Sequence, residues 1–64
     1  MPPRVREVVR LLEQQGWRLI RFGKGDHRIF ERDGEIEVVD GAESREFSAP
    51  AWAKMKKRHG FEDR

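Results

Sequence analysis

The run Arg21-Phe22-Gly23-Lys24-Gly25-Asp26-His27-Arg28-Ile29-Phe30 holds the side chains best suited to chemistry. Histidine as a residue type titrates near neutrality, so His27 can both take and give a proton. Arg21, Lys24 and Arg28 lie around it in sequence, and cations so placed can hold a phosphate. Gly23 and Gly25 suit a tight turn, because glycine takes positive φ without steric cost. The alternative is a plain basic hairpin with no chemistry. Gly23-Lys24-Gly25 is not a phosphate loop of the nucleotide type, which needs a longer spacing, a Lys-Ser/Thr ending and a helix directly after it. Here a strand pattern follows.

The elements that position this turn must come from 64 residues, enough for one domain spanning 1–64. A chain this short buries only about 60% of its unfolded surface. An active site on it is therefore shallow, with a polymer or a large partner as substrate. Charged residues make up 41% and apolar ones 36%, so the chain is charge-rich but has a core. The net charge of +2 is a weak excess. Its distribution is more telling, since bases gather near the hairpin and in the last helical stretch. Without cysteine there is neither a disulfide framework nor a cysteine-rich metal site. Two histidines far apart, with no ligand-spaced partner, argue against a bound metal, and no cofactor is expected. No segment is apolar enough to span a membrane and no signal-peptide core is visible, so the expected location is cytoplasmic.

Val5, Val8, Val9 and Leu12 recur at helical spacing, and Gly16 stands where a helix ends, which predicts a helix over about 3–15. Residues 17–22, 27–32 and 35–40 are predicted strands, with Asp33-Gly34 as a hairpin turn. Trp17 is expected in the core rather than as a base-stacking platform. Both alternating sides of 17–22 carry apolar residues, which leaves its inward face open. A two-residue loop sets Phe30 opposite Glu37; a three-residue loop sets it opposite Val38. The second register is preferred, because it gives the aromatic ring an apolar partner. Either way, burial of Phe30 turns His27 to the solvent side. Ser48 is a good N-cap for a helix over 48–59, with Phe47 and Trp52 as a hydrophobic staple. Phe47, Trp52 and Met55 are expected to be buried, with His59 as a packing or capping residue and Phe61 folded back onto Met55. Residues 62–64 read as a frayed end. The architecture that follows is a two-layer α+β sandwich, α-β-β-β-α, with a three-stranded antiparallel sheet and both helices on one face.

Leu11, Leu12, Gly16 and Trp17, then Gly25, His27 and Phe30, then Asp33 and Gly34 together resemble the HicA toxins, also called the YcfA-like family, of type II toxin–antitoxin systems. The resemblance covers nearly the whole chain in element order. It implies a fold like the double-stranded-RNA-binding domain and ribosome-independent cleavage of mRNA, with His27 as the catalytic residue. It also implies a HicB antitoxin as the partner that masks this surface. Family members usually carry serine before the histidine, where this chain has Asp26. A carboxylate there can orient His27 or repel RNA phosphate. The last helix, which usually opens through Gly-Thr, starts here at Phe47-Ser48.

The activity expected is therefore that of a metal-independent endoribonuclease. His27 would act as general base on the ribose 2′-OH or as general acid on the leaving oxygen. Lys24, Arg28 and Arg21 would hold the RNA phosphate, with Gly25 in the same RNA-contacting turn. The rival expectations are a non-catalytic RNA-binding module, or an inactive toxin relative, built on the same basic residues. A third is an interaction protein that offers its open sheet face to a protein partner.

Overall fold

A computed structural model describes residues 1–62 of the chain; the notional frayed end at Asp63 and Arg64 lies outside the described residues. The elements run α1 (Val5–Gln14), β1 (Arg18–Phe22), β2 (Arg28–Arg32), β3 (Glu35–Val39), α2 (Ala49–His59). The three strands form one antiparallel sheet in the order β1-β2-β3. The α+β order expected from the periodicities is the observed one.

Helix α1 starts two residues later than the proline-first-turn pattern suggests. Pro3 and Arg4 are extended instead: the Pro3 carbonyl accepts the Phe47 N–H at 2.8 Å, and Arg4 bridges Glu46. The Arg4 N–H donates to Glu7 Oε1 at 3.0 Å, which closes the helix start. At the other end Gly16 has φ +91°, its N–H reaches Glu13 O, and the Trp17 N–H reaches Leu12 O, both at 3.0 Å. That is a Schellman motif, and it aims Trp17 back under the sheet. Ser48 Oγ accepts the Ala51 N–H at 3.3 Å at the start of α2, and Gly60 ends it at φ +73°.

Val5, Val8 and Leu12 of α1 meet Trp52 and Met55 of α2, together with Trp17, Phe61, Phe30 of β2 and Val39 of β3, in one core. Phe30 and Val39 lie on the same face of the sheet, so both helices cover that face. Phe47 is half-buried and packs against the core as its staple position requires. The Phe61 ring folds back to stack on Trp52, with centroids 6.0 Å apart, and on His59 at 5.3 Å.

The register preference fails. Asp33 (φ 51°) and Gly34 (φ 84°) form a two-residue turn, and Phe30 stands opposite Glu37. Two consecutive positive φ values give the type I′ geometry, whose twist matches that of the strands. Glu37 occupies the inner face, buried to 7% exposure, because two side chains of α2 receive it. Arg58 donates to it through Nε at 2.9 Å and Nη2 at 3.2 Å, and His59 Nε2 lies against Oε1. The apolar partner sought for Phe30 is supplied by the helices, not by the strand across from it.

Candidate nucleic-acid site

The turn between β1 and β2 closes when the Gly23 N–H donates to the His27 carbonyl at 2.7 Å. The two glycines serve different ends. Gly25 takes φ +68°, which its lack of a side chain permits. Gly23 is needed for space: a Cβ there would lie 3.3 Å from His27 Cβ and 3.2 Å from Ile29 Cδ1. His27 thus stands immediately before β2 with its backbone clasped, and its side chain is 46% exposed. Phe30 is fully buried, and alternation along the strand carries His27 to the opposite, open face, as the sequence implies.

His27 Nδ1 hydrogen-bonds the Lys24 carbonyl. A carbonyl only accepts, so the neutral ring carries its proton on Nδ1 and presents Nε2 with a free lone pair. Nε2 faces Asp40 Oδ1 at 3.7 Å. Asp40 is held there by the far end of β3. Arg28 donates from Nη1 to the Gly41 carbonyl at 2.6 Å, which ties the end of β3 to the start of β2. Gly41 has φ +111°, and a Cβ there would meet Arg45 Cδ at 3.1 Å. Asp40 was legible only as the last residue of a strand. Its approach to His27 depends on pairing between residues a hairpin apart.

The predicted cations separate. Arg21 lies across from Ile29 in the ladder, on the open face with His27, and is exposed. Lys24 is exposed beside His27 and offers the ring its backbone carbonyl. Arg28 is half-buried on the other side of the strand, 5.5 Å from the centroid of the Phe22 ring and bonded to Gly41. Asp26 is exposed, and its carbonyl lies 3.5 Å from Arg28 Nη1.

The second histidine is in a different place and role. His59 has 5% of its side chain exposed, packs edge-on to Trp17 with centroids 5.4 Å apart, and pairs with Glu37. Gln15 Nε2 donates to its carbonyl at 3.0 Å, so it joins the end of α1 to the end of α2. It is the packing residue expected, with a carboxylate partner that the sequence reading missed. The available signal was a histidine on an apolar helical stripe, which needs an acceptor. Among the described residues no group of three His, Cys, Asp or Glu side chains is placed to hold a metal ion.

A solvent-facing histidine, two exposed cations near it and an uncovered sheet face thus share one surface of this small α+β protein. The family model for the HicA toxin of bacterial toxin–antitoxin systems matches residues 5–47, from the start of α1 to the residue before the Ser48 cap. The chain belongs to the HicA toxin family. No curated protein and no solved structure matches it. HicA toxins pair with antitoxins and generally cleave mRNA. No helix among the described residues is long and apolar enough to cross a membrane.

Proposed function

We propose that this toxin is an mRNA-cleaving endoribonuclease in the cytoplasm, with His27 as its acid–base residue and a HicB-like antitoxin as its partner. One observation carries the reading: His27 stands exposed on the open face with Nδ1 held by the Lys24 carbonyl and Nε2 presented. A neutral ring so held can take the proton of a ribose 2′-OH on Nε2. The 2′ oxygen then attacks phosphorus, the bond to the 5′ oxygen breaks, that oxygen takes a proton from water, and the hydroxide left behind takes back the proton held on Nε2. No metal is required for this step. Lys24 and Arg21 are the exposed cations that would receive the phosphate, with Gly25 allowing the turn just after Lys24. Arg28 contributes by fixing the strand ends and by its charge nearby.

Asp40 supports a second reading, an RNA-binding toxin relative without catalysis, because its carboxylate stands before Nε2 where a phosphate would approach. His27→Ala separates the two. An exposed position of this kind leaves stability within about 0.5 kcal/mol, so the variant stays folded. Induced wild type should degrade mRNA and arrest growth, and His27→Ala should lose about 10²–10⁴-fold of the cleavage while still binding RNA. Full cleavage by a folded His27→Ala protein removes His27 from the mechanism. Loss of toxicity with cleavage retained makes binding the active principle.

A further inference from the structure

Strand β1 is the least covered element of the fold. All five of its residues are exposed, with Leu19 at 41%, Ile20 at 47% and Phe22 at 60%. The core takes Phe30 from β2 and Val39 from β3, and nothing from β1. An edge strand with apolar side chains and a free backbone edge is a template for adding another strand. The two edges of this sheet differ. On β3 the Val38 N–H donates to Glu37 Oε2 at 3.1 Å, and Arg58 and His59 hold that carboxylate in place. Among the described residues no side chain caps the backbone of β1 in this way. A β-bulge between Leu19 and Arg21 interrupts its ladder with β2, which limits pairing to strands that fit the bulge.

Charge selects the occupant. Residues 17–25 include Arg18, Arg21 and Lys24 and no acidic residue. A second copy of the same strand would bring like charges together across the ladder, which is destabilising. RNA would answer the cations, but single strands are gripped by cations and successive aromatic platforms; Leu19 and Ile20 are aliphatic, and Arg28 already lies over the Phe22 ring, 5.5 Å from its centroid. We propose that β1 accepts a fourth strand from a partner protein, an extended segment in which acidic and apolar residues alternate. Its acids would meet Arg21 and Lys24, since Arg18 already pairs with Glu31 at 3.1 Å, and its apolar residues would meet Leu19, Ile20 and Phe22. Phe22 pairs with Arg28, the residue after His27, so the added strand ends beside the catalytic turn. The docking surface stands without the ribonuclease reading; only its power to silence cleavage rests on that reading.

The test uses the full chain, labelled with ¹⁵N, and a synthetic peptide of about ten residues alternating valine and glutamate. The same peptide with lysine for glutamate and a short single-stranded RNA are titrated beside it. The glutamate peptide should shift the amides of residues 18–22 and slow their exchange, and the lysine peptide should not. Ile20→Glu, folded by its unchanged spectrum elsewhere, should weaken that binding roughly tenfold or more, since it removes an apolar contact and repels the peptide's glutamates. Shifts confined to β3 or α2, an equal response to the lysine peptide, or no response would overturn the proposal. So would tighter RNA binding at the same amides, or concentration-dependent shifts of the free protein that mark self-pairing. RNA cleavage measured in the same samples reports separately: peptide bound at β1 with cleavage intact keeps the surface and removes its silencing role.

Discussion

At the scale of single residues, the fold holds the turn that carries His27 with a backbone bond and the β2–β3 hairpin with one carboxylate. Glu31 accepts the Gly34 N–H at 2.9 Å and Arg18 Nη2 at 3.1 Å. The Gly34 N–H first, and the Arg18 guanidinium second, hold its carboxyl below the usual carboxylate range. A group whose pKa is lower folded than unfolded stabilises the fold above its unfolded value. That contribution is lost as pH falls through the folded value. Unfolding midpoints of wild type and Glu31→Gln should therefore differ by a constant amount at neutral pH. The difference should shrink below about pH 4.5, the ordinary value for the group, and vanish in stronger acid. A difference that persists unchanged in strong acid would deny the carboxylate this role. His27 sits at the other end of β2, in the turn between β1 and β2, and needs no buried partner. That is why its removal is expected to silence chemistry and leave the fold alone.

At the scale of elements, the connection that matters is β3 to α2. Glu37 faces inward because Arg58 and His59 receive it, and its carboxylate caps Val38 on the sheet edge. His59→Ala would leave Glu37 with Arg58 and the Val38 N–H and would open space against Trp17 and Phe61. The expected cost is about 2–4 kcal/mol, read from urea unfolding. Glu37→Ala combined with His59→Ala should cost less than the two changes summed, by at least about 0.5 kcal/mol, because each single change strands the other partner. Additive costs would mean that the pair contributes packing only. The same contact explains the difference between the sheet's two edges, one capped from within and the other left for a partner.

At the scale of the whole molecule, 64 residues leave little margin. Natural domains hold roughly 0.05–0.15 kcal/mol per residue, which for this chain is only several kcal/mol in all. Trp52 is 5% exposed and stacks on Phe61 at the junction of α2 with the core. Trp52→Ala should cost about 3–5 kcal/mol, comparable with the total, and leave the protein largely unfolded near body temperature by circular dichroism. A melting curve like that of wild type would take Trp52 out of the core. The net charge of +2 is small for the whole chain, so attraction for RNA must come from the local excess around Arg21 and Lys24.

The order of elements, the caps at Gly16, Ser48 and Gly60, and the solvent side of His27 were legible in the sequence. Each follows from local rules: a 3.6-residue stripe, a cap, or alternation from a buried Phe30. The register of β2 against β3 was not legible, since it turns on whether Glu37 can be buried. That depends on Arg58 and His59, more than twenty residues away in the chain. The approach of Asp40 to His27 and the tie from Arg28 to Gly41 likewise need the sheet to exist first. The exposure of β1 was undecided for the same reason: its apolar residues lie on both sides, and only the packed helices determine which strands are covered. Periodicity and caps act within a few residues. A one-residue slip in register, by contrast, exchanges whole faces, and only contacts between distant segments choose between the two.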